Sequence, residues 1–138
     1  NWSSNRLQGA RQLSKYDTHC FLIKSLKDVM LMHEYGFSAC STVSENVIIS
    51  EAQYEKIAQR SNNNILVFFD NDLAGVKGAN KYKKKYDLRC IFIKRKYAKD
   101  ISDLYKKVSS KVFWEIVEEI HSIIKDYSIR STKHFYIF

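Results

Sequence analysis

Apolar positions along this chain alternate between two patterns. Short uninterrupted runs, C-F-L-I over Cys20–Ile23, I-L-V-F-F over Ile65–Phe69 and R-C-I-F-I over Arg89–Ile93, read as buried strands. Between them apolar residues recur every three or four positions. Leu26, Val29, Met30 and His33 keep helical spacing, so a helix is expected after Ser25, an N-cap residue, reaching Tyr35 with Gly36 as its stop. A short strand follows around Ala39–Ser41 and leads into the polar turn T-V-S-E-N. Ser50 and Gln53 form a capping box for a helix to about Arg60, which S-N-N-N ends. Another helix is expected from near Leu73 to about Tyr86, and a short one capped by Ser102. Val112, Phe113, Ile116, Val117, Ile120, Ile123 and Ile124 make the longest stripe, a packing helix with Glu115, Glu118 and Glu119 turned away. The final H-F-Y-I-F is either an extra strand or a segment that docks on a neighbouring domain. Strands alternating with helices predict an α/β fold, a compact domain with a central, mostly parallel sheet flanked by helices.

Composition narrows this picture. A chain of 138 residues without proline or low-complexity linker suits a single structural unit. No apolar run approaches the roughly 20 residues of a membrane-spanning helix, and N-W-S-S-N-R carries no signal-peptide core, so a cytoplasmic protein without membrane partners is expected. Cys20, Cys40 and Cys90 sit in apolar segments with no C-x-x-C pair, and the four histidines show no H-x-x-x-H spacing. Inert buried thiols are expected, and no zinc site.

Charge adds a partner class. The net charge of +8 favours a polyanion. Ten of the basic residues fall between Lys77 and Lys99 against one acid, Asp87, with Tyr82, Tyr86 and Tyr97 interleaved. Such a run is either a solvated face or a phosphate-binding surface. Lys77, Lys81 and Lys84 share one helical face and are candidates for nucleic-acid or nucleotide phosphates; Lys94, Arg95, Lys96 and Lys99 lie beside the next acidic motif and are candidates for a triphosphate.

The candidate chemistry starts where I-L-V-F-F ends in D-N-D. Asp70 and Asp72 stand at the tip of a buried strand, and K-D-I-S-D supplies Asp100 and Asp103 after the next strand. Carboxyl ends of neighbouring parallel strands share one edge, where ligands bind, so the two acidic groups are expected to meet. Carboxylates of this kind suit Mg²⁺ or Mn²⁺, which take oxygen ligands and act on phosphoryl groups. Local alternatives exist for each: Asp70 and Asp72 as caps of the following helix, Asp103 as an exposed first-turn acid. Gly75 either lets a phosphate approach the helix N-terminus or serves helix–sheet packing.

Taken in order, the strand, the K-S-L-K-D-V-M helix, the S-E-N turn, D-N-D-L-A-G and K-D-I-S-D resemble the Toprim family over about Cys20–Lys107. The closest likeness is to primases and primase-helicases of phages and organelles, and W-S-S-N-R-L-Q-G-A-R-Q-L resembles the segment that precedes their Toprim unit. The resemblance implies an N-terminal segment over 1–18, a Toprim domain over 19–108 and a C-terminal helix and tail over 109–138, as part of a longer replication protein. It implies a Toprim domain of a DNA primase: metal-dependent nucleotidyl transfer with Mg²⁺ or Mn²⁺, making RNA primers from ribonucleoside triphosphates on a single-stranded DNA template. A replicative helicase domain in the same chain and a host cytoplasm, for a phage protein, belong to that reading. The alternatives are a Toprim nuclease or a catalytically degenerate nucleic-acid-binding or assembly module.

One departure bears on catalysis. The family's first motif carries a glutamate in a pattern like E-G-x-x-D, whereas this chain has Lys24-Ser25-Leu26-Lys27-Asp28. Three readings are open: Glu45 supplies the missing carboxylate; Lys24 pairs with Asp70 or a substrate phosphate while Asp70, Asp72 and Asp100 hold the metal; or chemistry has been lost. The resulting candidates are Asp70, Asp72, Lys24 and Glu45 for catalysis and Asp70, Asp72, Asp100 and Asp103 for metal. Asp28, one helical turn after Lys24, either stabilises local structure or touches the metal; it is grouped with Gly75 as structural.

Overall fold

The computed structural model describes residues 7–8, 18–42, 48–125 and 134–137. The strands are β1 (Leu7–Gln8), β2 (Cys20–Ile23), β3 (Ala39–Thr42), β4 (Ile65–Phe68), β5 (Arg89–Ile93) and β6 (His134–Ile137). They form one sheet in the order β1-β3-β2-β4-β5-β6, parallel throughout except for β1, which runs antiparallel to β3 at the edge. The helices are α1 (Leu26–Glu34), α2 (Glu51–Arg60), α3 (Leu73–Tyr86), α4 (Ile101–Lys107) and α5 (Ser110–Lys125). The α/β architecture with a mostly parallel sheet is therefore present as expected. Among the described residues no helix is long and apolar enough to cross a membrane.

Residues β2 to β5 are buried on both sides because each sheet face carries its own core. Phe21, Ile23, Phe68, Ile91 and Ile93 pack against α1, α4 and α5 through Val29, Met32, Leu104, Phe113 and Ile116. The alternate positions Leu22, Val67 and Phe92 pack against α2 and α3 through Ile57, Ala79 and Tyr82. This division has a topological consequence. The β4–α3–β5 crossover steps along the sheet over the α2/α3 face, whereas β5 to β6 steps the same way over the opposite face, so the two crossovers have opposite hands. The unusual second crossover brings the start of α4 beside α1, and that placement builds the site.

Local signals set the element ends. The Ser25 hydroxyl caps α1 by accepting from the Asp28 amide at 3.2 Å, and Ser50 and Gln53 make the reciprocal capping box of α2. The chain leaves α2 through Asn62 and Asn63 at φ 56° and 59°, left-handed conformations that asparagine tolerates. One expectation is corrected and one choice narrowed. Ser102 does not cap α4: Asp100 does, accepting from the Asp103 amide at 2.8 Å, and Ser102 lies inside the helix, buried. The choice left open for H-F-Y-I-F resolves in part as a strand, β6, paired with β5. The three cysteines are buried thiols outside any disulfide, with Cys20 and Cys40 sulfurs 3.7 Å apart.

Arg89 belongs to the basic run in sequence yet is 7% exposed. Its guanidinium donates to the Ile123 carbonyl at 2.8 Å and to the Asn64 side-chain oxygen, while the Asn64 amide donates to the Ile124 carbonyl at 3.1 Å. Arg89 and Asn64 thus tie the last turn of α5 to the entry of β4 and β5. Replacing Arg89 with leucine strands these acceptors in the interior, so urea unfolding should show a loss of about 3 kcal/mol.

Candidate metal centre

The carboxyl ends of β2 and β4 point the chain into α1 and α3, and the loop after β5 returns to the same edge. Asp70, directly beyond β4, is 4% exposed, and Asp28, on the inward side of the first turn of α1, is 2% exposed. Together with Asp100 at the start of α4, each offers a carboxylate oxygen within 4.8 Å of the others. Ile23, Phe68, Phe69 and Ile101 line the crevice that Asp28 and Asp100 border.

Second contacts hold these groups in place. The Ser102 amide donates to Asp28 Oδ1 at 3.2 Å, and the Ser102 hydroxyl donates to the same oxygen. Asn71, between the two aspartates of D-N-D, donates its backbone N–H to the Lys99 carbonyl at 3.2 Å and its side-chain amide to the Ile93 carbonyl at 2.8 Å. Asn71 therefore fastens the tip of β4 to the loop that carries Asp100. The sequence pattern had offered Ser102 only as a cap and assigned Asn71 no role; the polar residue enclosed in D-x-D was the available signal for Asn71.

The remaining predicted residues divide by position. Asp72 is the N-cap of α3 and accepts from the Gly75 amide at 2.8 Å, so its carboxylate serves the helix end and stands outside the triad. Gly75 is buried in the first turn of α3. Asp103 accepts from the Lys99 amide at 3.3 Å and pairs with Lys107 at 3.1 Å. Lys24 and Lys99 each bring an ammonium 3.7 Å from Asp70 Oδ2. Lys77, Lys81 and Lys84 are exposed on α3, and Lys94, Arg95 and Lys96 are exposed in the loop after β5. Glu45 lies outside the described residues.

Burial disfavours the charged form of two of the three carboxylates, even with two lysines beside Asp70. Burial, reinforced by the Asp100 charge, pushes the Asp70 carboxyl above the usual carboxylate value despite Lys24 and Lys99. Burial likewise raises Asp28, with the Ser102 hydrogen bond working against it and Asp100 working with it. Hydrogen bonds from Lys107 and the Lys99 amide hold Asp103 below that value.

Raised folded-state values mean that the folded chain takes up protons more readily than the unfolded one. The stability contributed by Asp28 and Asp70 is fully present below their unfolded value and is lost as pH rises through the raised folded values. Without divalent cation, the stability of the wild type relative to Asp70→Asn should therefore fall as pH increases across that window. Parallel urea titrations check the sign.

The donor set fits a hard divalent cation: two buried carboxylates, both disfavoured as bare anions, and the half-buried Asp100 converge from three chain segments. Asp28, Asp70 and Asp100 would hold Mg²⁺ here. When bound, it supplies charge neutralisation at a phosphoryl group and orientation of the attacking and leaving oxygens. The chain's own contribution is to aim the carboxylates, through Ser102 and Asn71, and to surround them with apolar walls that strengthen the field.

Comparison with known proteins gives the family. A family model described as Toprim-like matches residues 21–105, a span that includes Asp28, Asp70, Asp72, Asp100 and Asp103. No curated protein and no solved structure matches the chain. Toprim domains bind Mg²⁺ through acidic residues and serve metal-dependent functions on nucleic acids in primases, nucleases and topoisomerases. With the matched span covering more than half of the sequence, this chain belongs to the Toprim-like family.

Proposed function

We propose that this chain is the Toprim domain of a DNA primase, catalysing metal-dependent nucleotidyl transfer that makes RNA primers on single-stranded DNA. The observation that carries the reading is the convergence of Asp28, Asp70 and Asp100 at the carboxyl edge of the sheet. The order D-N-D-L-A-G then K-D-I-S-D, and the primase-like segment before β2, favour a primase over other members. In this reading Mg²⁺ or Mn²⁺ sits on the triad, Asp72 and Asp103 keep helix α3 and the Lys99 loop in register, and ribonucleoside triphosphates and template are the partners. Lys24 and Lys99 neutralise Asp70 at rest and turn to the substrate phosphates on binding.

A second reading has its own observation. Two ammonium groups on Asp70, one standing where the family has glutamate, oppose a dication, which favours a nucleic-acid-binding module without chemistry. Incubation with single-stranded template, labelled ribonucleotides and Mn²⁺ separates them. The primase reading expects short labelled oligomers that vanish with Asp70→Asn. Template binding without product, at any divalent concentration, supports the second reading; shortening of an end-labelled template points to a nuclease.

A further inference from the structure

The groove between α1 and α4 is not used by the metal centre, although one end of it is the metal centre's support. It measures about 880 Å³ and is lined by Leu26 and Met30 on α1 and by Ser102 and Tyr105 on α4, with two cations, Lys27 and Lys106, and one acid, Glu34, completing the lining. Met30 is 64% exposed, Tyr105 45% and Leu26 44%. Such a contiguous apolar strip on a basic chain calls for an occupant.

Three features choose the occupant. First, the groove leads to the triad: Ser102 lines it and donates to Asp28. Second, its cations stand apart along its length, Lys27 one residue before Asp28 and Lys106 in the last turn of α4. A mononucleotide carries its phosphates at one end, whereas a strand presents phosphates at intervals on either side of its bases. Third, the apolar surface continues as an aromatic ledge. Tyr105 meets the Tyr35 ring at 6.1 Å, and Tyr35 meets Trp114, itself 52% exposed, at 4.9 Å. Aromatic platforms interleaved with cations are how proteins hold single strands, because every base has a face to stack.

We infer that the α1/α4 groove and its Tyr105–Trp114 ledge are a track for single-stranded nucleic acid, delivering the strand to the Asp28–Asp70–Asp100 edge. The groove, rather than the lysines of α3 on the opposite face of the sheet, carries the bases. Two or so nucleotides occupy the groove, with bases over Met30 and Tyr105 and phosphates on Lys27 and Lys106. The inference takes its polymer from the proposed primase reading, but its test does not need the chemistry.

Fluorescein-labelled oligothymidine is titrated by anisotropy into the full chain with divalent ions chelated. Tyr105→Ala and Trp114→Ala, both exposed positions, should each weaken binding about tenfold, as loss of a stacked base does. The Lys27→Ala, Lys106→Ala pair should lower the slope of log affinity against log salt by about 1.4. Lys81→Ala, Lys84→Ala on α3 should cost far less than the Tyr105 change, and circular dichroism melts should show every variant folded. Groove variants that bind like the wild type, or a wild type that binds no oligonucleotide, overturn the inference. So does a concentration-dependent dimer abolished by Met30→Asp with oligonucleotide affinity unchanged, which would make the strip a self-association surface. Metal binding or primer synthesis can fail while this titration succeeds, and the reverse, so the two proposals fall separately.

Discussion

Asp28→Asn should make the metal-free protein more stable and at the same time abolish most of its response to Mg²⁺. The substitution keeps an oxygen to accept from the Ser102 amide and hydroxyl, so the link between α1 and α4 survives. What it removes is a negative charge that burial disfavours beside Asp100. Relief of a buried charge without a full partner is worth about 1 kcal/mol or more at neutral pH, about 3 °C in melting temperature for a chain of this size. In the wild type, Mg²⁺ at ten times its Kd stabilises by about 1.4 kcal/mol, because only the folded chain assembles the triad. With one of three ligands lost, that increment should shrink to a small fraction. A structural acid would behave the other way: Asp28→Asn would destabilise and leave the Mg²⁺ response intact. Asp72→Asn is the matched control, since asparagine also caps helices, and it should leave the Mg²⁺ increment nearly unchanged.

Lys24→Glu should raise divalent affinity by one to two orders of magnitude while lowering the stability of the apoprotein. The residue occupies the position of the glutamate that the resembling family carries, and its ammonium lies 3.7 Å from Asp70 Oδ2. Reversal exchanges an attraction for a repulsion at Asp70. The Lys24 side chain is 43% exposed, so solvent screening reduces the Coulomb energy to about 1–2 kcal/mol. The same repulsion becomes attraction once a dication is present, and calorimetric titration would show the gain as a lower Kd. If primer synthesis is metal-limited, the variant should also reach full rate at lower Mg²⁺. Unchanged affinity would mean that Lys24 sits outside the field of the ion and that the departure from the family pattern is neutral for metal binding.

The architecture was legible because its signals are local. Strands buried on both faces read as continuous apolar runs, and α1, α2 and α3 begin at Ser25, Ser50 and Asp72, residues that announce themselves as caps. The edge strand β1 has two residues and no pattern to find. In K-D-I-S-D, Asp100 and Ser102 are both good caps, and only the tertiary contact with Asp28 draws Ser102 inward. The acidic edge itself followed from placing D-x-D and K-D-I-S-D after neighbouring strands. The membership of the triad did not. Asp28 in a first helical turn reads as a dipole partner, and its approach to Asp100 depends on the crossover that sends α4 to the face of α1. Charge was misread for the same reason: Arg89 counts as surface in a basic run, yet strand β5 turns it inward onto Ile123 and Asn64.

Anomalous diffraction from a crystal soaked in Mn²⁺ tests the central claim most directly. The account predicts a single strong peak within about 2.3 Å of oxygens from Asp28, Asp70 and Asp100. A peak held by Asp72 and Asp103 instead, or no peak at this edge at saturating Mn²⁺, would contradict it.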